Sequence, residues 1–220
     1  MKPPYVRYSN DELEDRYNEF MSVLKKLVSP ERYELLEHMY SEDELGGSLV
    51  LSPASGRPHF HAAYQGGYID HILNVVKFSR KLAKVYKSLG GTINFTSEEL
   101  AMAAFHHDLG KLGTPDEMYY MINDSKWHIE NRNEYFKHNP ELEFMPVTDR
   151  AFFTLQKYGI TLTENEMIGI RLTDGMYEEG NSLYLCKFGE DQQLRRTIPY
   201  ILHWADHMAA TIERESEFTV

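Results

Sequence analysis

His107 and Asp108 follow an apolar run and are themselves followed by Leu109-Gly110-Lys111. An imidazole nitrogen and a carboxylate oxygen side by side at a helix end can both reach one bound cation. Two further donors lie elsewhere, His71 in an earlier amphipathic segment and Asp206 in a late one. Imidazole with carboxylate suits manganese, iron, zinc, cobalt or nickel, whereas carboxylate and water alone suit magnesium. A divalent ion held in this way lowers the pKa of a bound water, which is hydrolytic chemistry. Neighbouring helical residues point about 100° apart, so His107 and Asp108 flank one ion only where their helix stops.

The elements that must position these residues are mainly helical. Ser9-x-x-Glu12 is a capping box and predicts a helix to about residue 28, with Leu13, Tyr17, Phe20, Val23, Leu24 and Leu27 on one side. Ser29-Pro30 reads as the N-cap and first position of a helix to about residue 40. Residues 46–63, with Gly46-Gly47, Pro53, Gly56 and Pro58, form the first interruption. Gly66-Gly67 then precedes a periodic helix over 68–89, which Gly90-Gly91 ends. Thr96-x-x-Glu99 opens a helix to Asp108, with Gly110 as its C-terminal stop. Residues 112–147 predict loops with short helical pieces. Thr148 is expected to cap a helix to Gly159, and Thr163-x-x-Glu166 another to about residue 172. Residues 181–188 read as a short hairpin or extended arm, and Pro199 opens a last helix to about residue 214. The expected organisation is an N-terminal helical extension over 1–45 and a main domain over 46–220. His71, His107-Asp108 and Asp206 then come from three helices of one bundle.

The order His71, His107-Asp108, Asp206 resembles the HD-domain metal-dependent phosphohydrolases, which are named for that dipeptide. The stretch Tyr64-Gln65-Gly66-Gly67-Tyr68-Ile69-Asp70-His71 is also similar to a Gly-Gly-Leu-x-x-His segment of several HD proteins. The likeness covers residues 58–111 and the last helix. It implies an all-α HD-domain bundle with irregular loop insertions, and His71, His107, Asp108 and Asp206 as ligands of a divalent ion, manganese foremost. It further implies that Asp108 orients the attacking water. Lys111 matches the lysine of the family's H-D-x-G-K form, where it lies near substrate phosphate; the plainer reading is a surface lysine. His106 stands where an apolar residue is usual. It is a candidate acid or base, as is His61, with core packing as the alternative. Family members with two metals use extra histidines. Here His128 and His138 lie in that interval without a matching spacing, while His203 shares a helix face with Asp206.

The implied reaction is hydrolysis of a phosphoester or phosphoanhydride. Arg57, His59 and His61 lie in the loop before His71; Arg171, Asp174 and Tyr177 lie in a second loop. Arg57, His61, Lys111, Arg171 and Tyr177 are the candidate substrate contacts, with Asp174 placed for a sugar and Tyr177 for a base. The net charge of −11 argues against a protein that coats nucleic acid. A small nucleotide is therefore the expected substrate. An HD-type nuclease acting on short single-stranded RNA or DNA is the alternative, and a noncatalytic metal-bound module a third class. Phosphate-loop and dinucleotide-fold fingerprints are absent. The single cysteine, Cys186, and the lack of an apolar start suit a cytoplasmic protein that is no membrane partner. Oligomeric state is left open.

Overall fold

The computed structural model describes residues 5–186 and 193–218. It is an all-α bundle with one small hairpin. Three predicted capping boxes form, at Ser9 for α1 (Asn10–Leu27), at Thr96 for α5 (Ser97–His106) and at Thr163 for α8 (Glu164–Arg171). In each, the hydroxyl accepts from the third helical N–H while the glutamate accepts from the cap N–H, which satisfies donors the helix itself cannot. Pro30 occupies the first position of α2 (Pro30–Met39), as expected; the Ser29 side chain makes no capping bond, and its N–H instead donates to Glu98 at 3.0 Å.

The expected interruption at residue 46 begins differently. A π-type turn at Glu42–Gly46 leads straight into α3 (Gly47–Leu51). Leu45 and Leu49 are completely buried there, so core burial overrides the turn preference of the glycine pair. The chain then loops to α4 (Gly67–Ser88). Residues 112–147 contain strands β1 (Tyr120–Ile122) and β2 (Phe136–His138), paired antiparallel with Met121 opposite Lys137, and the short α6 (Lys126–Arg132) between them. Helix α7 (Val147–Lys157) starts one residue before Thr148, with Pro146 as its N-cap, so Thr148 is a buried helical residue rather than the cap. The expected hairpin or arm at 181–188 is corrected to α9 (Ser182–Leu185), closed by the Cys186 N–H donating to Ser182 O at 3.0 Å. Its end, including Phe188, lies outside the described residues. The last helix is α10 (Ile198–Phe218). Among the described residues, no helix is long and apolar enough to cross a membrane.

Helix α4 packs between α10 and α5, while α8 leans on both α5 and α10. Helix α1 covers α4 and α5, and α2 is joined to α8 through Arg32, which donates to both Glu166 oxygens at 2.5 and 2.9 Å. Phe20 of α1 meets Tyr40 and Phe105 edge-on, with ring centroids 5.2 and 5.1 Å apart. The N-terminal helices thus share one continuous core with the rest of the bundle.

His106 belongs to that core. Its ring stacks on Tyr40 at 6.2 Å, and its Nδ1 lies 2.7 Å from Met102 O. Burial pushes its pKa down to about 4, against a backbone hydrogen bond that raises it. The unfolded chain, with an ordinary histidine near 6.5, takes up this proton first as pH falls. His106 therefore costs stability from about pH 6.5 down to about 4, roughly 2 to 4 kcal/mol over that window. Replacing it, as in His106→Gln, should flatten the fall of urea-unfolding free energy across this window relative to wild type. Equal slopes in the two proteins would disprove this account of its environment.

Candidate metal centre

His71 lies on the first turns of α4, within the buried run Tyr68, Ile69, Ile72, Val75 and Val76, so packing turns it inward. Helix α5 ends at His106; His107 keeps helical angles and Asp108 leaves them, at φ −104° and ψ 9°, to enter a 3-10 turn at Leu109–Leu112. This break lets two successive residues flank one point. Gly110 does not act through a left-handed cap conformation. A Cβ there would lie 2.0 Å from Val147 O, so the missing side chain lets the turn rest directly on the backbone that opens α7.

Each histidine commits Nδ1 and leaves Nε2 toward the centre. His71 Nδ1 pairs with Glu213 Oε2 at 2.9 Å, and His107 Nδ1 with Ala104 O at 2.9 Å. Both Nε2 atoms are buried without a hydrogen-bond partner. They face Asp206 Oδ1 at 3.1 and 3.6 Å and Asp108 Oδ2 at 3.9 and 3.7 Å. Two lone pairs aimed at carboxylate oxygens repel unless a proton or cation lies between them. Donors each about 2.1 Å from one ion lie about 3.0 Å apart at right angles and about 3.4 Å apart at a tetrahedral angle. The observed spacings are close to that range, so the four residues fit a single divalent ion. The geometry thus brings together all four expected ligands.

Without an ion, protons take its place. Burial alone would lower the pKa of His71, but Glu213 and Asp206 push it up to about 10. His107 is raised in the same way, against burial, by Asp108 and Asp206. Burial also opposes ionisation of Asp206, yet the two imidazoles hold it well below the usual carboxylate range. Asp108 is lowered too, against burial, with Lys111 the strongest of its positive neighbours.

The remaining candidates divide. Lys111 is part of the centre, donating to Asp108 Oδ2 at 2.6 Å and to Ala54 O at 3.1 Å. His61 places its ring 4.6 Å from that of His71, and burial holds it neutral, with a pKa lowered to about 3. His106 is turned into the core as described. Arg57 pairs with Glu134, and Arg171 faces Asp149 at 3.8 Å. Tyr177 is exposed and stacks 6.2 Å from His207.

Two residues gain importance from the structure. Glu213 orients His71 and is itself held by Asn74 Nδ2 at 2.8 Å. It follows Asp206 by seven residues, about two helical turns, so both lie on one face of α10. That period was the available signal. Asp174 reaches solvent, yet the mass around it and then the negative charge of Asp108 raise its carboxyl pKa. Its loop is pinned at Gly175 (φ +53°), where a Cβ would lie 2.6 Å from the His203 ring.

Residues 68–159 match the family model of the HD domain. That span runs from the start of α4 through α7 and contains His71, His107, Asp108 and Lys111. Asp206 and Glu213 lie beyond it. No curated protein and no solved structure matches the chain.

Metal titration followed by calorimetry should give one divalent ion per chain, bound more tightly as pH rises toward 10, because protons on His71 and His107 must leave first. Glu213→Gln should weaken that affinity about 10- to 100-fold without removing a ligand. Metal affinity independent of pH, or insensitive to Glu213→Gln, would contradict this geometry.

Proposed function

We propose that this chain, whose residues 68–159 match the HD domain, is a metal-dependent phosphohydrolase that cleaves a phosphoester or phosphoanhydride of a small nucleotide. The observation that carries the reading is the pair of unpartnered Nε2 atoms facing Asp108 and Asp206, with Lys111 on Asp108. His71, His107, Asp108 and Asp206 would hold the ion, manganese being the first to test. Such an ion, when bound, acidifies a coordinated water and offsets charge on phosphoryl oxygens.

The chain's own groups supply the rest. Asp108 accepts a hydrogen bond and so can orient the attacking water. Lys111 needs only to turn from Asp108 toward the substrate to meet a phosphoryl oxygen, where a fixed charge counts most as negative charge develops. Asp174, whose carboxyl pKa is raised, would hold a sugar hydroxyl or give a proton to the leaving oxygen. His61, kept neutral, can accept one. Beside α10, a cavity of about 460 Å³ is lined by Leu172, Met176, Tyr177, Tyr200 and His203, a setting suited to a planar base.

The scarcity of free cations beside the centre supports a small substrate. Arg57 and Arg171 both have carboxylate neighbours, and Lys111 is a single charge. A nucleic-acid strand needs a row of cations along its phosphates. The family carries nucleases as well as nucleotide hydrolases, so substrate choice is what the assay must decide.

Purified protein with manganese should hydrolyse members of a nucleotide panel faster, per mole, than short single-stranded oligonucleotides, with products resolved by mass. Salt-sensitive trimming of oligonucleotides at a higher rate would overturn the proposal. Asp108→Ala should abolish turnover and sharply reduce metal binding. Lys111→Ala should lower kcat on the order of 10²-fold while metal content is retained; unchanged kinetics would return Lys111 to a structural role.

A further inference from the structure

A groove of about 650 Å³ runs between the N-terminal segment, α1, α4 and the end of α10. One wall is Lys77, Arg80, Lys81 and Lys84, whose spacing stacks them on one face of α4. All four are exposed, and none forms an ion pair among the described residues. This happens in a chain with 34 acidic and 23 basic residues, where partners are plentiful elsewhere.

The acids within the groove are already engaged. Glu19 pairs with Arg16 at 2.7 Å. Asp70 accepts from Tyr8 at 2.6 Å and Tyr64 at 2.9 Å, and lies 3.6 Å from Arg16. Glu213 is held by His71 and Asn74. Arg7, also in the lining, lies 4.6 Å over the Tyr64 ring. The groove therefore keeps an excess of positive charge that no carboxylate of the groove offsets.

We infer that this groove binds a compact polyphosphate anion, such as the triphosphate of a nucleotide, at a site separate from the metal centre. The four cations span about 10 Å along α4, the reach of a short phosphate chain rather than of a nucleic-acid strand. The chain's net charge of −11 repels extended polyanions. Asn74 and Glu213 also line the groove, and Glu213 bonds His71, so the groove lies one hydrogen bond from that candidate ligand. Binding at this groove needs neither the ion nor the proposed reaction.

The test is calorimetric titration of inorganic tripolyphosphate into metal-stripped full-length protein. One molecule should bind per chain, and Lys81→Ala/Lys84→Ala should weaken it at least about tenfold. Lys77→Gln/Arg80→Gln should do the same, with helical circular dichroism unchanged in both variants. Asp108→Ala should bind as wild type does. A nucleoside triphosphate should bind at least as tightly as tripolyphosphate. Absence of binding, wild-type affinity in both double variants, or loss of binding in Asp108→Ala would overturn the site. Tighter binding of an oligothymidine, or of phosphatidylcholine vesicles containing phosphatidylserine, through the same residues would overturn the compact occupant.

Discussion

Two carboxylates, the buried Asp108 and the half-buried Asp206, must be matched by positive charge, and the central bundle is arranged to supply it. An unpaired carboxylate in a protein interior is costly enough that it would take up a proton instead. Here α4 brings His71, the end of α5 brings His107, and the following turn brings Lys111. The ion that these residues fit would take over the charge balance the imidazolium protons keep in its absence. Removing any one helix would therefore leave charge on the others uncompensated, not merely a gap in packing.

Much of this was legible in residue types and order. His107-Asp108 with a flanking apolar run, an upstream His71 and a downstream Asp206 specify donors on helices that must converge, and they do. Capping boxes at Ser9, Thr96 and Thr163 are local, side-chain-to-backbone devices, so they read directly. What failed to read depends on tertiary contact. His106 directly precedes two candidate ligands, yet the 100° step between helical neighbours turns it to Tyr40 instead. Gly110 reads as a stop, but its small size serves a backbone approach from Val147, a residue 37 positions away in sequence. Arg57 and Arg171 carry the right charge for phosphate, and only the fold shows the carboxylates that face them.

The centre is also layered. Asp206 faces the shared point directly, while Glu213, two turns further along α10, holds the opposite nitrogen of His71. One helix face thus supplies both a candidate ligand and the group that fixes the tautomer of another candidate. Asn74, one turn after His71 on α4, fixes Glu213 in turn. The chain of contacts runs from the interior to the basic groove without a break in hydrogen bonding, so the two regions of the molecule share a wall.

The bond between His71 and Glu213 joins positions 142 residues apart. During synthesis, α4 and α5 can pack long before α10 exists, which leaves His71 and His107 with Asp108 but without Asp206 and Glu213. Closing so long a segment is entropically slow and exposes apolar surface meanwhile. Docking of α10 is then the event that completes ligands, tautomer and core together. An ion captured at that moment would act as a clasp on the last helix, tying the lifetime of the folded chain to the supply of metal around it.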